Sequence, residues 1–208
     1  MPRAQPPTHR PIWMVVLAAT MLLFGGGELV GGLLALRDPG ARNAIRNVAR
    51  PPGAEEAARK LEPILAGIVD RNRLALRADA IASAAYGLFM LYAVAAVLSR
   101  DRNGRRLALT TAIVGIAFLL AELPLKMRIA RQTVAAGGFL LLESFSAAGA
   151  GAGRTEAELI AAFNMITALL ALIGIGWCAL LLVFFGGRRG RELYGVPRNP
   201  QRVPNLPR

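Results

Sequence analysis

The sequence predicts an all-α membrane protein: a bundle of four transmembrane helices, with an additional amphipathic helix between spans 1 and 2. Three observations predict it. The 208 residues carry four long apolar runs, at 12–36, 78–99, 107–125 and 159–185, each near or above the ~20 residues a helix needs to cross roughly 30 Å of hydrocarbon. Hydrophobic residues make up 54% of the chain and mean hydropathy is +0.44, more than a soluble protein of this length can hide in its interior. The basic residues flank the runs instead of interrupting them.

Residues 1–11 are Pro-rich and polar and are expected to be a disordered tail. The first run follows a basic start, as a secretion signal does. It is longer than the 7–15 residues of a signal core, however, and no A-x-A site closes it, so an uncleaved first span is expected. Arg37-Asp38-Pro39-Gly40 ends the span, because charge leaves the bilayer and Pro-Gly breaks the helix.

Residues 41–77 form a polar connection divided by Pro51-Pro52-Gly53. Beyond that break, Glu55 and Glu56 lie in a first helical turn, four residues before Arg59 and Lys60, and Leu61, Ile64, Leu65 and Ile68 recur at helical period. This predicts an amphipathic helix over 54–70, with Pro63 kinking or restarting it. No breaker lies between Arg71 and Ala78, so span 2 is free to continue directly from this helix. A short basic connector at 100–106, turning at Asn103-Gly104, leads into span 3.

After span 3, Pro124 is expected to open the helix end, and 126–154 reads as a mixed segment whose apolar patch at 138–142 is too short to span. Thr155-Glu156-Ala157-Glu158 fits a capping box that starts span 4. Gly186-Gly187-Arg188-Arg189 stops it, and 188–208 is expected to be a disordered basic tail. The membrane domain is thus 12–187.

Four spans place both termini on one side. The tightest loop carries Arg100, Arg102, Arg105 and Arg106, and Arg188-Arg189 follows span 4. Because short loops weigh most in the positive-inside rule, both termini are expected in the cytoplasm of a cell (inner) membrane, with the Arg-rich segments against anionic lipid headgroups. The formal charge of +12 is otherwise unremarkable: no basic stripe with interleaved aromatics exists, so no nucleic-acid partner is expected. Usage rich in Arg, Ala and Gly and poor in Lys points to a GC-rich bacterial genome.

The single cysteine, Cys178, excludes an intrachain disulfide or a dithiol redox pair, and the lone His9 excludes a histidine metal cluster. No cofactor or metal is expected. Gly174-Ile175-Gly176 lacks the strand-turn-helix setting of a phosphate cradle.

What remains is a polar layer inside the spans. A charge at membrane depth costs at least ~2.5 kcal/mol and needs a reason. Glu28 lies roughly 24 Å along its helix from Ile12, and Glu122 roughly 23 Å from Leu107, at ~1.5 Å per residue. Ser83 falls at a similar height, with Asn164 and Thr167 slightly higher. Small residues let helices approach closely: Gly25, Gly27, Gly31 and Gly32 around Glu28, Gly115 on its span, and Gly174 as a contact in span 4.

Two carboxylates at one depth can share a proton or hold a cation. The same acids equally suit a structural role, since Lys126 stands four residues after Glu122. No catalytic motif is present. The functional expectation is a non-enzymatic membrane protein of structural or accessory type, packing with itself or with a larger membrane complex. The alternative is a small proton- or cation-coupled transporter or channel using Glu28 and Glu122.

Overall fold

The computed structural model describes residues 12–38, 55–99, 103–147 and 155–194. They form six helices: α1 (Ile12–Arg37), α2 (Glu55–Arg71), α3 (Arg73–Leu98), α4 (Gly104–Ala147), α5 (Glu156–Gly186) and α6 (Arg188–Leu193). No strand occurs among the described residues. Four helices, α1, α3, α4 and α5, are long and apolar enough to cross a membrane. The chain is an all-α membrane bundle.

Its outside confirms the solvent. Leu23, Leu88, Ile113 and Val183, one from each span, are 60% exposed or more, a surface that only lipid tolerates in this number. Between helices in lipid there is no hydrophobic drive, so association rests on close packing. On α1 the inward positions are Met14, Ala18, Met21, Gly25, Glu28, Gly32 and Ala35, spaced alternately four and three. On α3 they are Ala80, Ser83, Gly87, Met90, Val94 and Val97. Both are heptad seams, the pattern of left-handed helix packing.

The two seams run antiparallel: a Cβ added at Gly25 would meet Met90, and one added at Gly32 would meet Ala80 and Ala84. Each following pair is also antiparallel. Gly104 lies on Ala96, Gly115 on Tyr86, and Gly174 on Leu119. The helices therefore run up-down-up-down, with α1 most extensively packed on α3, and α4 on α5. The ring closes between α1 and α5 through aromatic side chains: Trp13 stacks on Phe184 at 5.5 Å and Phe24 on Trp177 at 5.9 Å.

Two packed cores lie at opposite ends. Met14, Val97, Leu181 and Phe185 fill the end that holds the start of α1 and the end of α5. Leu61, Leu65, Val134 and Leu159 fill the other, where α2 lies against α4 and the start of α5.

Several elements differ from the sequence reading. α4 does not open at Pro124. It continues through it to Ala147, 44 residues in all, roughly 66 Å at 1.5 Å per residue. The second half is held by α2: Val134 is buried with Leu61, and Leu61 sits over Gly137 so closely that an added Cβ would lie 2.7 Å from its Cδ2. Gly137 acts as a packing notch, and tertiary contact outweighs the local breakers. Likewise Pro63 lies inside one continuous α2.

Span 2 begins earlier than hydropathy suggests, at Arg73, because Asn72 forms a corner. Its buried side chain donates to Ile68 O at 2.8 Å and to Gln132 Oε1 at 2.7 Å. The expectation of disorder from 188 onward is overturned for Arg188–Leu193. This turn is held by Arg188 Nε to Glu192 Oε1 at 2.6 Å, and the adjoining Tyr194 hydroxyl donates to Val97 O at 3.3 Å.

The capping box is present as expected: Thr155 N donates to Glu158 Oε2 at 2.8 Å, and Glu158 N to Thr155 Oγ1 at 3.3 Å. The tails at 1–11 and 195–208, the Pro-Gly stop at 39–40, the connector residues 100–102 and the side chains of Glu55 and Glu56 lie outside the described residues.

Candidate functional site

The α1 and α3 seams place Glu28 and Ser83 opposite each other. The Ser83 hydroxyl donates to a Glu28 carboxylate oxygen, with the Glu28 main-chain oxygen 3.4 Å away. Ser83 is fully buried and Glu28 half-buried. A carboxylate here is tolerable because its charge meets an inter-helix donor.

Glu122, on α4, is buried and pairs with Lys126 one turn further on. The Lys126 side chain remains 52% exposed while that of Glu122 is 4% exposed. The lysine thus leaves much of its side chain exposed while its ammonium reaches the enclosed carboxylate.

Between the two packed cores lies a cavity of about 680 Å³. Its walls come from α1, α3, α4 and α5, and along α5 it extends from Cys178 to Leu159, roughly 28 Å of helix. Glu28, Glu122 and Thr167 all line it, so three of the five polar residues singled out from the sequence share one space. Ser83 stands behind Glu28 as its donor. Asn164 is not part of the lining; it is half-buried, and its Oδ1 is enclosed with no hydrogen-bond partner among the described residues. The Thr167 hydroxyl donates to Phe163 O at 2.8 Å, back into its own helix.

The small residues divide as well. Gly25 and Gly32 are true contacts: a Cβ at Gly32 would lie 2.6 Å from Ala84 N and 2.7 Å from Ala80 O. Gly31 is half-buried. Gly27 faces open space, because the seam runs through positions 25, 28 and 32 and leaves 27 on the opposite face. Gly115 leaves room for the Tyr86 hydroxyl and for Cys178, and Gly174 for Leu119.

Sequence reasoning missed the aromatic walls. Tyr86 stacks on Phe118 at 5.4 Å, its hydroxyl donating to Thr111 O at 3.4 Å. The Phe24–Trp177 pair closes the other side, with the indole Nε1 enclosed and without a partner among the described residues. Asp79 and Lys126 also line the space. Rings at matching heights were the available signal, but a helix apolar on every face does not declare which way it is turned. Among the described residues, no three His, Cys, Asp or Glu side chains gather as a metal-binding group.

Compared with known family models, curated proteins and solved structures, the chain matches none.

Proposed function

We propose that this membrane protein is a small, non-enzymatic carrier that couples movement of a cation to protonation of Glu28 and Glu122. One observation carries the reading: two carboxylates from different helices line a single cavity at membrane depth. Acids in such a place mark proton or ion pathways more often than they serve packing alone. Their partners suit exchange: a neutral hydroxyl holds Glu28, and a lysine whose side chain is half exposed holds Glu122. The home of this carrier is the inner membrane of a bacterium, both termini cytoplasmic, as the Arg-rich connector and the Arg188-Arg189 pair support.

The test is reconstitution into vesicles with an imposed pH gradient and a trapped pH dye. Wild-type protein dissipates the gradient when a transported cation is supplied, while E28Q and E122Q fold but do not. Equal dissipation by all three proteins would refute the reading.

A second reading, an accessory subunit packing with itself or with a larger complex, is favoured by the fact that both glutamates already have partners within the chain. It requires that E28Q and E122Q lower thermal stability and leave any flux unchanged, and that the protein co-purify with other subunits in mild detergent.

A further inference from the structure

The shape of the cavity says more about its occupant than the presence of acids does, and the following rests on the carrier reading and names its ligand class. A volume of about 680 Å³ is that of a drug-sized ligand site and far exceeds what a bare ion fills. The carboxylates are not gathered as a metal-binding group among the described residues. Of the four charged residues in the walls, Glu28, Asp79 and Glu122 are acidic and only Lys126 is basic. The remaining walls are mostly apolar, and two stacked ring pairs, Phe24–Trp177 and Tyr86–Phe118, bring one aromatic side chain from each of the four spans. Aromatic faces attract cations through the ring quadrupole, most strongly where water is scarce.

We propose that the cavity binds an organic cation with an aromatic or alkyl body, its charge at Glu122 and Glu28 and its body against the two ring pairs.

Lys126 gives the site a built-in competitor. In the ligand-free protein its ammonium occupies the Glu122 carboxylate. An arriving cation takes that carboxylate, and the lysine, already half exposed, turns to water at little cost. Removing the lysine charge therefore tightens cation binding. A purely structural ion pair gives no such gain.

The chain supplies its own reporter. Of its two tryptophans, Trp177 lines the cavity and Trp13 does not. W13F leaves a single tryptophan, in the wall, to be excited selectively, and equilibrium dialysis on the unaltered full chain in detergent checks the result without that substitution. The probes are tetraphenylphosphonium and tetraphenylborate, matched in size and opposite in charge. The expected result is saturable quenching of Trp177 by the phosphonium alone, weakened at least ~10-fold in E122Q and in E28Q, and strengthened several-fold in K126Q.

Equal saturable binding of both ions, binding indifferent to the two glutamines, or non-saturable quenching indicating simple lipid occupancy would each overturn the proposal. Absence of phosphonium binding with the pH-gradient signal intact overturns the ligand class and leaves the carrier reading in place. Phosphonium binding without flux does the reverse.

Discussion

Ser83 of α3 donates its hydroxyl to the Glu28 carboxylate of α1, and both residues occupy matching positions of two antiparallel heptad seams. Inter-helix hydrogen bonds in membranes contribute about 0.6 kcal/mol on average, with a maximum near 1.7. Ser83→Ala is therefore expected to lower stability by about 1 kcal/mol, read as a reduced melting temperature in detergent. Glu28→Gln retains an acceptor for the hydroxyl and is expected to melt closer to wild type than Ser83→Ala.

The glycines of α1 separate into two kinds, and substitution distinguishes them. At Gly32 an added methyl collides with the α3 backbone at Ala80 and Ala84, which cannot move aside as a side-chain tip can. Gly32→Ala is expected to cost about 1–3 kcal/mol through overpacking. Gly27→Ala meets nothing within 4 Å and is expected to stabilise by about 0.5–1 kcal/mol, the usual advantage of alanine in a helix. Equal melting temperatures for the two variants would contradict the seam.

Lys126 neutralises a carboxylate that is almost wholly enclosed. Removing one partner of such a pair strands the other, whereas removing both does not. Lys126→Met alone is expected to destabilise more than Lys126→Met combined with Glu122→Gln. A double-variant cycle in urea or by thermal melting measures the coupling. Additive losses would show that the pair is merely a surface contact.

Sidedness is checked with engineered thiols, since the one native cysteine, Cys178, is buried. Gly67 has open space around it and sits on α2; Asn103 is exposed on the connector side. A membrane-impermeant maleimide applied to intact cells is expected to label Gly67→Cys and spare Asn103→Cys. The opposite pattern inverts the protein.

The spans were legible because hydropathy reports what lies in lipid. It does not report where a helix ends. Arg73–Leu76 and Lys126–Ala147 are helical outside the apolar runs because Asn72, Leu61 and Val134 fix them by tertiary contact, which no local pattern announces. The Glu28–Ser83 match in depth followed from helical rise alone. The ring pairs did not, since depth gives height along a helix and leaves its rotation open. For α1 the rotation was encoded after all, in Met14, Ala18, Met21, Gly25 and Gly32. The small and flexible residues mark the protein-facing side of a helix that is greasy all round.

Where α1 meets α3, backbones are drawn together at Gly32 and Gly87; where α1 meets α5, the contacts include rings that touch, Trp13 on Phe184 and Phe24 on Trp177. A contact between ring tips such as Phe24–Trp177 yields to side-chain rotation, whereas the α1–α3 contact at Gly32 yields only if a backbone moves. On the carrier reading, a guest dissolved in the leaflet would enter on the α1–α5 side and meet the carboxylates without first crossing into water.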